Sequence, residues 1–240
     1  MVRAVAGPVR AVSAVRSAPN CPAMLTHVFG LLGAALSMSI AWPQVYRSCV
    51  RRRTGGLSAT ACMLAVAMPL GWVTYGLLIG DRFQVVTNAV SASTGVAILI
   101  ALLVTRPAVR SGRALLASVG AAAGVLLAVT AIAASAALPQ VSGPRAAAML
   151  GTVLAAISFV SAIPQPLALL RDRDQDISGL SPVRWTLAAS ACASWFAYGL
   201  GVGQPAVWAS ALVGLTSALT VCGVLFTRRA GAGVRVLATA

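Results

Sequence analysis

Two tryptophans and one asparagine have the side chains best suited to holding a small uncharged solute. Trp72 lies eight residues before Gly80 and Asn88 eight residues after it, and Gly80 falls in the tight turn between two apolar runs. At about 1.5 Å per helical residue both side chains sit roughly 12 Å from that turn, close to the middle of a bilayer about 30 Å thick. An amide at that depth is expensive unless it faces a partner or a wet cavity. A tryptophan opposite it offers a flat apolar surface to the C–H face of a sugar ring, while the amide offers one acceptor and two donors to hydroxyls. The alternative role for Asn88 is a structural bond between helices. Trp195 repeats Trp72 at a spacing of 123, and at that spacing the partner of Asn88 is Ala211, with Ser210 beside it. The site is therefore expected to be lopsided, holding a polyol more loosely than two amides would, or taking a smaller or less polar solute. Ser37, Ser158, Ser190 and Thr216 are supplementary hydroxyls, although hydroxyls in membrane helices commonly bond their own backbone.

Around this set stand residues that could move or gate it. Pro43-Gln44 and Pro164-Gln165 lie 121 apart, each near the end of an apolar run. Proline removes a backbone donor and permits a kink, and the neighbouring glutamine amide can bond across helices. The pair reads as matched bends, against the simpler alternative of helices ending at the interface. Tyr75 and Tyr198 follow the tryptophans by three residues. They read as a gating ring or, more plainly, as interfacial anchors or helix-packing residues, and Trp42, Trp185 and Trp208 as a membrane-boundary belt.

The residues that are missing exclude other chemistry. There is one histidine, His27, near a span end, with no glutamate and no lysine. No triad, carboxylate pair or retinal-type Schiff base can be assembled, so no enzyme is expected. No Asp, Glu, Lys or Arg falls in the middle of an apolar run, which disfavours proton coupling. Asp172, Asp174 and Asp176 alternate with arginines as a solvated, self-paired loop, and neither a metal nor a cofactor is expected. Cys21, Cys49, Cys62, Cys192 and Cys222 have no CxxC spacing and read as packing residues.

The elements that must position these residues follow from composition. The chain is 59% hydrophobic with only 9% charged residues and a mean hydropathy of +0.89, whereas a soluble domain carries about 25% charge. The lipid bilayer is its expected solvent. Apolar runs near 24–46, 57–79, 83–105, 114–138, 146–170, 183–203 and 205–227 predict seven transmembrane helices, the only spanning element compatible with their length. The 18 basic residues give a net charge of +14, but they sit in clusters between apolar runs without interleaved aromatics, which argues for membrane anchoring and against nucleic acid. Arg47, Arg51, Arg52, Arg53, Arg106, Arg110, Arg113, Arg171, Arg173, Arg184, Arg228, Arg229 and Arg235 fall on one side. Arg82, Arg145 and the tail residues Arg3, Arg10 and Arg16 fall on the other. The positive-inside rule then puts the C-terminus in the cytoplasm and the N-terminus outside.

The duplication organises the chain: a tail over 1–23, expected to be disordered, a three-helix repeat over 24–105, a linker with one helix over 106–145, a second repeat over 146–227 and a cytoplasmic tail over 228–240. Met24 opens the first run directly, which suggests it as an alternative start. The single extra helix restores the orientation of the second repeat, so the architecture is an all-α membrane protein with two parallel repeats in a 3+1+3 plan. In each copy the order is Pro-Gln, a basic loop, Gly-Leu-Ser (Gly56-Leu57-Ser58; Gly179-Leu180-Ser181) and Trp-x-x-Tyr-Gly (Trp72, Tyr75, Gly76; Trp195, Tyr198, Gly199). This order, twice over, resembles the PQ-loop superfamily, in particular the SWEET sugar transporters. The resemblance implies a plasma-membrane facilitator with Trp72, Asn88 and Trp195 around the solute and Ala211 at the departing position. It also implies a second hinge proline at Pro182, where repeat one has Ala59, and leaves Pro69 as the place for repeat one to bend. The expected solute is a mono- or disaccharide, moved by alternating access without proton coupling. An amino-acid or metabolite carrier, and a non-transporting receptor or assembly protein, share the superfamily and remain the alternatives. A homo-oligomer is compatible with the sequence.

Overall fold

The computed structural model describes residues 21–54, 57–110, 113–172 and 182–238. Residues 1–20, Gly56, Asp174, Asp176 and the second Gly-Leu-Ser lie outside the described residues, as do the side chains of Pro164 and Gln165. The described residues form eight α-helices: α1 (Cys21–Val45), α2 (Ala59–Ile79), α3 (Arg82–Thr105), α4 (Arg113–Ser135), α5 (Gly143–Ala162), α6 (Pro164–Arg171), α7 (Pro182–Gly201) and α8 (Pro205–Ala238). Helices are the natural outcome, because hydrocarbon offers backbone groups no partner except one another.

Among the described residues six segments are long and apolar enough to cross a bilayer, against the seven expected. The shortfall is α7, which has 20 residues but carries Arg184, Trp185, Thr186, Ser190, Ser194 and Tyr198. Helix ends differ too. The first helix begins at Cys21, inside the expected tail, and α8 runs on to Ala238 through the expected C-terminal tail.

The expected fifth span, 146–170, is broken in two at Ile163. Pro164 and Pro166 lack the N–H groups that would bond the carbonyls of Val160 and Ala162. The Ala162 carbonyl is satisfied from outside, by the Ser217 hydroxyl of α8 at 3.0 Å. In repeat one the matching sequence is Pro43-Gln44-Val45. With a single proline α1 continues through Pro43 and loosens into a π turn over Tyr46–Val50. The two bends are therefore unequal. Among the described residues Gln44 makes no bond across helices; its Nε2 donates to Ser48 Oγ, 2.8 Å away on its own turn.

Helix pairing has an internal symmetry. Helix α1 packs on α3 and α7, α5 packs on α8 and α2, and α2 with α3 and α7 with α8 form hairpins. Exchanging α1 with α5, α2 with α7 and α3 with α8 maps this set onto itself. Both hairpins turn on a left-handed glycine, Gly80 at φ 73° and Gly203 at φ 67°, a conformation that a side chain would strain. Helix α4 breaks the symmetry by packing on α2 and α5. The main core forms there, from Ala67, Tyr75, Val125, Val129, Leu150, Leu154 and Tyr198. Outward faces remain apolar, with Leu31, Leu77, Ile100, Leu127, Phe159 and Leu219 exposed, as a lipid-facing surface requires.

Candidate functional site

Between the two symmetric halves lies a cavity of about 280 Å³, lined by Trp72, Asn88, Trp195 and Ala211, together with Ser37, Ser158, Pro69 and Cys192. The four residues singled out from the sequence thus share one space. Its α3 wall carries Gln84, Thr87, Asn88 and Ser91, spaced so that all four fall on one helical face. None of the lining residues is Asp, Glu, Lys, Arg or His.

The amide of Asn88 is not as free as its type suggests. Its Nδ2 donates to the Gln84 carbonyl at 2.9 Å and to Gln84 Oε1 at 3.0 Å, which engages both hydrogens and leaves Oδ1 as the acceptor. The donor capacity passes to the Gln84 Nε2. Gln84 is therefore half of the polar group, a residue the sequence reading missed. Thr87 is buried, and its hydroxyl has no partner among the described residues.

Trp195 is held from two sides. Its Nε1 donates to Ser37 Oγ at 3.0 Å, and its ring lies against Gly33, where an added Cβ would stand 3.2 Å from the indole. Trp72 has no hydrogen bond to Ser158, the residue that corresponds to Ser37, among the described residues. Both tryptophans meet their tyrosine edge to face, Trp72 with Tyr75 at 5.4 Å and Trp195 with Tyr198 at 5.6 Å. Of the other hydroxyls, Ser190 and Thr216 are exposed and off the cavity, and Thr216 bonds the Leu212 carbonyl.

One turn from the cavity tryptophans, toward Gly80 and Gly203, lie two packed tyrosines. Tyr75 and Tyr198 are 4% and 5% exposed, so they are core residues and not interfacial anchors. Tyr198 Oη donates to Asp81 Oδ2 at 2.9 Å, and Asp81 Oδ1 accepts from the Gln84 N–H at 3.1 Å, capping α3. Phe83 closes the group, edge to face with Tyr198 at 5.6 Å. At the position of Asp81 the second repeat has Gln204, whose buried Oε1 has no partner among the described residues. The Tyr198 to Asp81 bond therefore has no counterpart in the other repeat among the described residues. Asp81, at the N-cap of α3, is a further residue that no motif or repeat in the sequence marks.

Pro43 is exposed within α1, and Pro182 opens α7. Neither lines the cavity, whereas Pro69, in the middle of α2, does.

Fold and site together define a class: a multi-pass, all-helical membrane protein built around an uncharged central cavity. Within it, residues 25–85 match the family model for the PQ loop repeat. Over 86% of this chain and 98% of the other, the structure is similar to that of a eukaryotic SWEET transporter, with a TM-score of 0.68 and 16% sequence identity. The fold is thus SWEET-like. No curated protein matches the chain by sequence.

Proposed function

We propose that the chain is a SWEET-like facilitator that moves a small neutral polar solute, a sugar, across the plasma membrane by alternating access. The observation that carries this reading is the central cavity, where two indoles and an amide pair converge and no charged side chain is present. Aromatic faces suit the C–H faces of a ring, and the amides suit its hydroxyls. An uncharged lining gives a proton nowhere to reside during the cycle, which supports uncoupled movement down a gradient.

The arrangement we favour is 3+1+3, with α1 to α3 as one repeat, α4 as linker and α5 to α8 as the other, α7 crossing the membrane as a shielded span. A helix less apolar than the rest can cross when protein and cavity cover part of its surface. Both repeats then run in parallel about an axis along the membrane normal. The arginine bias puts the C-terminus in the cytoplasm and the Gly80 and Gly203 turns outside. The Tyr198 and Asp81 contact is then an outer gate, and the unequal bends at Pro43 and Ile163 serve the inner side. Counterflow of labelled monosaccharides in proteoliposomes tests this reading, and no uptake above empty vesicles across a sugar panel would overturn it.

A further inference from the structure

The cavity is polar on one wall and apolar on the other. Under the internal duplication the α3 residues Gln84, Thr87, Asn88 and Ser91 correspond to Val207, Ser210, Ala211 and Gly214 of α8. Only one of those four can hydrogen-bond through its side chain, and Ser210 already donates to the Ala206 carbonyl at 2.7 Å. Where Gly214 lacks a side chain, Cys192 Sγ stands 2.8 Å from the position a Cβ would occupy, which adds another weakly polar surface. Of the α3 and α8 walls, only α3 offers unengaged groups to the cavity, Asn88 Oδ1 and Gln84 Nε2, while Ser158 of α5 adds one hydroxyl from outside these two walls.

Such a cavity discriminates between the edges of its solute. A hydroxyl turned toward Gln84 and Asn88 is satisfied, while one turned toward Val207 and Ala211 loses water and gains nothing, a penalty on the order of tenfold in affinity. A zwitterion fares worse, because two charges would be buried without counter-charges. Volume narrows the field further. At about 280 Å³ the space falls just below the roughly 300–1,000 Å³ typical of ligand pockets, suited to one ring and not two.

We infer that the preferred solute is a monosaccharide with one deoxygenated edge, a deoxyhexose taken in preference to the fully hydroxylated hexose, with Ala211 as the residue that sets the preference. The inference rests on the facilitator reading above. The test is uptake by the full chain in proteoliposomes of glucose and of its 2-deoxy, 3-deoxy and 6-deoxy analogues. At least one analogue is expected to exceed glucose about tenfold in kcat/KM. In Ala211→Asn, which restores an amide to the α8 wall, that ratio is expected to fall toward one or invert. Ala211→Ser serves the same purpose should the larger side chain prevent folding. Glucose equal to or better than every analogue in the unmodified chain overturns the inference and leaves the facilitator reading standing. An unchanged ratio in both variants overturns the role of Ala211. Uptake of none of the four sugars overturns the facilitator reading itself, and the inference with it.

Discussion

Tyr198 and Asp81 are 117 residues apart in sequence and 2.9 Å apart in space. Their hydrogen bond ties α7 to the N-cap of α3, joining the two repeats beside the Phe83 and Tyr198 ring contact. Its corresponding position in the other repeat, Tyr75 with Gln204, makes no such bond among the described residues. A latch on one side of a pseudo-symmetric pair can be released by one group.

Tyr198→Phe keeps the ring that fills the core and removes only the hydroxyl. A hydrogen bond to a carboxylate contributes about 1.5–3 kcal/mol, so its loss is expected to raise the population open at the Gly80 end by about tenfold or more. Cys192 lines the cavity and provides a native reporter. In a chain whose other cysteines are serine, a small thiol reagent applied from the Gly80 side is expected to label Cys192 faster in Tyr198→Phe than in the parent. Equal rates would refute the latch.

The amide pair makes a different prediction. Because Gln84 Oε1 and the Gln84 carbonyl orient Asn88, Gln84→Ala is expected to lower uptake nearly as much as Asn88→Ala, each by about ten- to hundredfold in kcat/KM. The double variant is expected to be little worse than either single one, since residues acting as a unit are not additive. Additive losses would separate the two side chains. Membrane insertion, followed by detergent-solubilised monodispersity, is expected to be unchanged throughout.

Much of this arrangement was legible in the residues. Gly80 and Gly203 announce the two hairpins, and the equal spacing of Trp72 and Asn88 about Gly80 puts both at one depth because helical rise is constant, while their facing the same cavity is a tertiary fact. The remainder divides into a pattern that spacing carries and partners that it does not. Gln84, Thr87 and Ser91 form a periodic stripe with Asn88 that helical phase alone could have found. The link from Tyr198 to Asp81 requires knowing that α7 of one repeat reaches α3 of the other. The break at Ile163 was visible in principle as Pro164 and Pro166, two missing donors where repeat one lacks one, but its satisfaction by Ser217 is a tertiary fact.

Gly33 tests how firmly Trp195 must be held. An added Cβ there would stand 3.2 Å from the indole, so Gly33→Val is expected to displace the ring, weaken the Ser37 contact and raise the KM for solute severalfold. Gly120 on α4 has open space around the same atom. Gly120→Ala is expected to leave uptake unchanged and to stabilise α4 slightly, by about 0.5–1 kcal/mol. Uptake kinetics on the two variants side by side check the contrast, and a Gly33→Val protein with unaltered KM would show that Trp195 is not a solute contact.

The unequal bends give the last prediction. Pro166 in repeat two corresponds to Val45 in repeat one, and Pro166→Val returns the N–H that the Ala162 carbonyl lacks. That carbonyl would then bond within the helix, compete with the Ser217 hydroxyl and extend α5 toward α6. If the break at Ile163 is a working hinge, stiffening it slows the conformational step without touching the cavity. The maximal rate of uptake is then expected to fall several-fold while the half-saturation concentration stays near its parent value. Ser217→Ala acts on the same carbonyl from the other side, leaving it without a partner, and is expected to lower thermal stability by the equivalent of about 1–3 kcal/mol. Pro43→Ala, in a helix that already continues through the proline, is expected to change uptake less than Pro166→Val. The reverse order of effects would place the moving joint in repeat one, at the π turn over Tyr46–Val50.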